Sequence, residues 1–173
     1  MKKINPLIIG MLLLMTACGG SSSGGTRVEQ APAQAGNTDE RSFEVKVLKN
    51  GAEFVSYSNV GERSGCALFE GSSILLELQS PDNKHLLMVE IRGGEAGTYP
   101  LPVQYESAKS GEAALTFTPE VMPILIPAEG EVRLDEFTDE SCSGSFSGGG
   151  TDIEGDTFSI EGRFSKMIVR SFE

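Results

Sequence analysis

Phe43-Glu44-Val45-Lys46-Val47 alternates apolar and charged residues without a break. Successive side chains of an extended chain point to opposite faces, so Phe43, Val45 and Val47 share one face and the two charges the other. The same period of two returns in Ile74, Leu76 and Leu78, in Leu87, Val89 and Ile91, in Val132 and Leu134, and in Phe158, Ile160 and Phe164. Between these runs stand turn formers: Lys49-Asn50-Gly51, Pro81-Asp82-Asn83, Arg92-Gly93-Gly94 and Gly148-Gly149-Gly150. Short strands at roughly ten-residue spacing, separated by turns, predict an all-β domain, an antiparallel β-sandwich or alternatively a small β-barrel. No segment carries a helical period; the nearest, residues 103–114, has glycine-bounded ends and a polar middle and reads as a loop.

Upstream of this domain the chain changes character twice. Residues 19–38 are Gly, Ser, Ala, Gln, Pro and Thr with hardly a large apolar side chain, too little to offset the entropy of ordering, and they read as a tether. Before the tether, Lys2 and Lys3 precede an apolar run over residues 7–15 and then Thr16-Ala17-Cys18. This order resembles a bacterial lipoprotein signal peptide ending in a lipobox, with Met15 where Leu, Val or Ile is commoner. The apolar run is shorter than the roughly 20 residues a membrane-spanning helix needs. The resemblance implies cleavage before Cys18, lipid (palmitate among the acyl chains) on that cysteine, and a membrane anchor. The expected organisation is a signal peptide over 1–17, a lipidated cysteine and tether over 18–41, and one β-domain over 42–173. Gly19 stands where an aspartate commonly retains lipoproteins in an inner membrane. The expected address is therefore the cell outer membrane, on its periplasmic side.

Loss of Lys2 and Lys3 leaves 12 of the 14 basic residues against 25 acidic ones, a net charge of −13. Such a body repels phosphate backbones and anionic lipid surfaces, which excludes nucleic acid as a partner and leaves attachment to the acyl chains. With Cys18 assigned, Cys66 and Cys142 remain, and in an oxidising compartment pairing is the economical reading. A bridge between them closes a loop of about 77 residues. The rival is two buried free thiols.

Four phrases in the second half of the chain carry a further resemblance: Gly97-Thr98-Tyr99-Pro100-Leu101, Gly130-Glu131-Val132-Arg133-Leu134, Cys142-Ser143-Gly144-Ser145-Phe146-Ser147 and Ile160-Glu161-Gly162-Arg163-Phe164. Their succession is similar to that of uncharacterised β-rich lipoproteins of Bacteroidetes-like bacteria. The resemblance implies fold and location and supplies no catalytic residue.

Candidate chemistry is sparse. His85 is the single histidine, and it reads as a hydrogen-bonded structural or surface residue at the start of a core-facing strand. His85 and Met88 are spaced by three, which puts them on opposite faces of a strand and excludes a shared haem. Asp152, Glu154 and Asp156 form the best metal candidate, because alternating carboxylates in a loop can converge on Ca²⁺, although the loop does not complete an EF-hand. The alternative is a solvated hairpin turn. Asp135, Glu136, Asp139 and Glu140 form a second acidic cluster that could face the first as a cation site or an acid–base pair. The chain has no Trp, and Tyr57, Tyr99 and Tyr105 are too few to suggest a sugar platform. Residues 119–127, Pro-Glu-Val-Met-Pro-Ile-Leu-Ile-Pro, read as an edge strand or crossover, packed beneath the sheets or exposed as a partner-binding patch. The expected function is a non-enzymatic lipid-anchored binding or structural module of the cell envelope. Its alternative is a small-molecule or lipid carrier whose cavity is lined by Leu76, Leu78, Leu87 and Val89.

Overall fold

The computed structural model describes residues 41–58, 64–69, 73–102, 107–121 and 123–171. No helix occurs among them; ten strands do. They are β1 (Ser42–Lys49), β2 (Ala52–Ser58), β3 (Gly65–Phe69), β4 (Ser73–Gln79), β5 (Leu86–Arg92), β6 (Gly97–Pro100), β7 (Ala113–Thr118), β8 (Glu129–Phe137), β9 (Ser141–Thr151) and β10 (Thr157–Ser171). The protein is all-β, and its single sheet curls into a nearly closed barrel-like form, with the order β6-β8-β9-β10-β3-β4-β5-β7 and with β1 and β2 branching from β10. Every pairing is antiparallel except that of β10 with β3.

The long strand β10 organises the whole. Its first half lies between β9 and β1, and the last β1 partners are Ser42 and Ser165. Its end, Val169–Ser171, lies parallel to β3. Between the two halves Phe164 faces Gly144 and Met167 faces Cys142, so β10 carries one extra residue there, with Lys166 at φ 50°. A bulge of this kind bends the strand, and here it does so where the neighbour changes from β1 to β3. It also reverses the alternation: Phe158, Ile160 and Phe164 point inward before the bulge, Met167 and Val169 after it. Extra residues in β8, at Asp135, and in β2, at Phe54, have the same effect, and the first turns Phe137 toward the core.

Closure is completed by residues 123–128. Phe117 and Leu125 exchange backbone hydrogen bonds of 2.9 Å, and the Ala128 N–H donates to the Gly149 carbonyl at 2.9 Å. This crossover thus ties the free edge of β7 to β9. It is neither wholly buried nor wholly exposed: Leu125 and Pro127 are inside, while Val121, Ile124 and Ile126 face solvent.

Inside, aromatic rings take the space that glycines leave. The row Val132, Phe146, Gly162, Val45, Tyr57 crosses five strands, and the next row runs Leu134, Gly144, Phe164, Phe43. A Cβ on Gly162 would meet the Phe146 ring at 2.5 Å, and one on Gly144 would meet the Phe164 ring at 2.8 Å. The run Gly148-Gly149-Gly150, expected to be a turn, lies within β9 instead. A side chain at Gly148 would strike Pro127 at 2.8 Å and Leu101 at 2.9 Å, so the glycines admit the crossover rather than reverse the chain. The expected turn at Asn50-Gly51 is present; both residues have positive φ, as the tight two-residue hairpin requires. Residues 103–106 lie outside the described residues, and Ala113 and Ala114 open β7 rather than end a loop.

Candidate functional site

The acidic loop between β9 and β10 is the most organised charged cluster among the described residues. Asp152 Oδ1 accepts the backbone N–H groups of Glu154 and Asp156, each at 2.9 Å, which fixes the turn. Asp152, Glu154 and Asp156 bring carboxylate oxygens within 4.8 Å of one another. The position a cation would take is held by Lys49, whose Nζ lies 2.9 Å from Asp152, 3.0 Å from Asp156 and 3.4 Å from Glu154. Lys49 comes from the end of β1, and the next residue, Asn50, donates to Asp156 Oδ1 at 2.9 Å and accepts from the Thr157 N–H at 3.1 Å. The hairpin tips of β1–β2 and β9–β10 are therefore bolted together.

The charges respond accordingly. Hydrogen bonding to Lys49 holds the Asp152 carboxyl below the usual carboxylate range, and Asn50 and then Lys49 do the same for Asp156. Asp152 and Asp156 raise the Lys49 ammonium well above its ordinary range. The loop is not simply a solvated turn, because the Asp152 side chain is fully covered. The Lys49 ammonium is seated among the three carboxylates that a Ca²⁺ ion would use.

The second acidic cluster does not join the first. Asp139 and Glu140 sit in the β8–β9 turn, while the first cluster closes the opposite end of β9. Eleven residues of strand separate the two by about 35 Å. Asp135 is paired to Arg133 at 2.7 Å. The expected possibility that the clusters face each other, as a cation site or an acid–base pair, is thus corrected by the length of β9.

His85 is half-buried at the mouth between β2 and β5. Its ring lies between those of Tyr57, 6.4 Å away and 20° inclined, and Phe117, 5.9 Å away and 11° inclined, with the bulged Phe54 edge-on at 6.4 Å. Its backbone N–H donates to Ser80 Oγ at 3.0 Å, whereas its buried Nδ1 has no hydrogen-bond partner among the described residues. His85 is thus a structural residue, tied through its backbone to Ser80 with its imidazole held by aromatic packing. Beside it the Tyr57 hydroxyl donates to the Leu78 carbonyl at 3.0 Å, and burial raises its pKa.

Cys66 and Cys142 are buried and present as free thiols. The influence of Cys66, and then burial, push the Cys142 thiol far above its ordinary range. Cys18 lies outside the described residues.

Recesses mark the surface formed by the described residues. One of about 600 Å³ is bordered by Glu44, Lys46, Ser56, Ser145, Glu161 and Arg163, on β1, β2, β9 and β10. Another of about 470 Å³ lies against Arg92, Glu95, Tyr99 and Ser110. Leu76, Leu78, Leu87 and Val89, which a carrier would use to line a cavity, have no surface open to a water-sized sphere.

The role of Lys49 was not legible in the sequence: 103 positions separate it from Asp152, and only the pairing of Lys49 with Phe158 brings them together. No family model matches the chain, and no curated protein or solved structure matches it.

Proposed function

We propose that this chain is a lipid-anchored protein of the cell envelope whose β-domain is a non-enzymatic binding or structural module. The observation that carries the reading is the order along the chain: Lys2-Lys3, an apolar run, Thr16-Ala17-Cys18, a Gly/Ser-rich stretch, then a folded β-domain from Ser42. Three acyl chains on Cys18 hold a protein to a bilayer far more firmly than one, since each buried methylene contributes about 0.8 kcal/mol. The outer membrane, periplasmic side, is the proposed address. A module rather than a carrier is supported by the filled interior, since the residues that could line a cavity are packed against one another. A module rather than an acid–base enzyme is supported by the distance between the two acidic turns.

Intact mass of the chain from its native membrane tests the anchor. The expected result is a mature chain beginning at Cys18 and carrying acyl mass, with Cys18→Ser moving the protein to the soluble fraction. A chain that keeps residues 1–17, or that begins elsewhere without lipid, overturns the reading.

A further inference from the structure

One end of the barrel-like sheet gathers exposed apolar side chains. Lys49 pairs with Phe158, Thr157 with Thr151 and Gly149 with Glu129, so the β1–β2 turn, the β9–β10 loop and the start of β8 share that end. Gln79 pairs with Leu86 and Leu86 with Thr118, which brings the β4–β5 loop and the segment after β7 together. Ring contacts and backbone bonds join the two groups: Phe54 is edge-on to His85 at 6.4 Å, His85 stacks on Phe117 at 5.9 Å, and Phe117 is bonded to Leu125. Of the seven large apolar side chains exposed among the described residues, five stand on this rim: Phe54, Val121, Ile124, Ile126 and Ile153. Beneath them Leu78, Leu87 and Phe117 have no exposure, so the rim is a surface over a filled core rather than the entrance to a cavity.

The rim is also acidic. Residues 49–54, 80–86, 118–121, 123–129 and 151–157 hold seven acidic residues and two lysines. Both lysines are already seated on carboxylates, Lys49 in the β9–β10 loop and Lys84 on Glu120 at 2.9 Å. Glu53 and Glu129 are exposed and have no ion pair among the described residues. We propose that this rim docks a basic amphipathic helix of a protein partner, its apolar face on the five exposed side chains and its lysines or arginines beside Glu53 and Glu129. Exposed apolar area alone would accept any apolar surface; the carboxylates select the sign of the partner. A second copy set rim to rim would oppose like charges, and an anionic lipid surface would be repelled in the same way. The proposal rests on the binding reading above, for which it names the partner class, and it is independent of lipid on Cys18.

The purified full chain is titrated with a helical peptide of about 18 residues, leucine on one face and lysine on the other, and with the same peptide carrying glutamate for lysine. The lysine peptide is expected to saturate at one per chain, and the glutamate peptide to bind at least about tenfold more weakly. Val121 and Ile153 are 76% and 81% exposed, so Val121→Ser with Ile153→Ser should keep the melting midpoint. That pair should lose affinity by at least about tenfold. Glu53→Gln with Glu129→Gln should flatten the dependence of affinity on salt. Asp139→Asn with Glu140→Gln, in the turn at the other end of β9, should bind as the unsubstituted chain does. An equal loss in that control shows unspecific attraction to an acidic chain and overturns the proposal, as does no saturation by the lysine peptide up to about 1 mM. A dimer in sedimentation, or binding to phosphatidylcholine vesicles, that Val121→Ser with Ile153→Ser abolishes gives the rim to a second copy or to lipid and overturns it too. None of these outcomes alters the acylated mass that tests the anchor, so failure here and failure of that reading are told apart.

Discussion

Replacing Gly162 with alanine adds one methyl group and should be among the most damaging small substitutions in this domain. A Cβ at this position meets the Phe146 ring at 2.5 and 2.9 Å, and the Glu44 carbonyl oxygen of β1 lies closer still. Ordinary carbon contacts lie near 3.5 Å, so the overlap is about 1 Å against each. The ring can shift only into a filled core, where Val45 and Val132 of the same row are at 1% and 0% exposure. The carbonyl is part of the β1–β10 ladder and moves only if the strands part. Overpacking alone costs about 1–3 kcal/mol, and with an immovable backbone atom the upper end applies, about 3 kcal/mol. For a domain of this size that lowers the melting midpoint by roughly 10 °C. Urea and thermal unfolding of Gly162→Ala, Phe146→Leu and the double variant measure it. The double variant should recover about 1 kcal/mol of the Gly162→Ala loss, because a smaller side chain relieves the ring contact and leaves the carbonyl contact in place. Gly155→Ala is the control: its φ of 90° disfavours alanine but nothing stands within 4 Å, so about 1 kcal/mol is expected. A Gly162→Ala midpoint within error of the unsubstituted chain refutes the ring-over-glycine account of the core.

Lys49→Met removes the ammonium from among Asp152, Glu154 and Asp156, and the denaturant midpoint should fall. The lowered carboxyl pKa values of Asp152 and Asp156 stabilise the fold above the ordinary aspartate range, and this is lost as pH falls through their folded values. The raised pKa of Lys49 stabilises below the ordinary lysine range near about 10.4 and is lost only at higher pH. The difference between the two chains should therefore be level from about pH 5 to 9 and shrink in acid, and urea titrations across that range that show no such shrinkage contradict it. Tyr57→Phe, which deletes the hydroxyl bonded to the Leu78 carbonyl, should cost about 1 kcal/mol in chemical denaturation. Lys166→Val puts a β-branched residue at φ 50° in the bulge of β10 and should cost about 1–2 kcal/mol, with faster amide exchange over residues 167–171 than elsewhere in β10.

The strands with clean alternation were legible because their period is a local property. Phe43-Glu44-Val45, Ile74-Leu75-Leu76 and Leu87-Met88-Val89 repeat at two, and β1, β4 and β5 contain them. β2 and β7 escaped notice for physical reasons. In β2 the extra residue Phe54 breaks the period, and in β7 the outward positions are Ala114 and Thr116, which contrast weakly with Leu115 and Phe117. The three glycines of β9 looked like a turn because the reason Gly148 is a glycine, the close passage of Pro127 and Leu101, comes from remote segments. The same holds for the acidic loop. Carboxylates two residues apart are visible in the sequence, but the cation that faces them arrives through pairing of strands separated by over a hundred positions.

A bulge in a strand that alternates perfectly on both sides reverses which residues point inward, and no local pattern marks where that happens. In β10 the reversal falls between Phe164 and Met167 and permits one strand to serve two parts of the sheet, first beside β1 and then beside β3. Without it Met167 and Val169 would face water and Ile168, now 48% exposed, would face the core. The neighbours of this strand end must then be held by something other than an unbroken ladder. On one side stand three parallel pairs, on the other the pairs Met167–Cys142 and Ile168–Ser141 and the Val169 N–H bond to the Glu140 carbonyl at 2.9 Å.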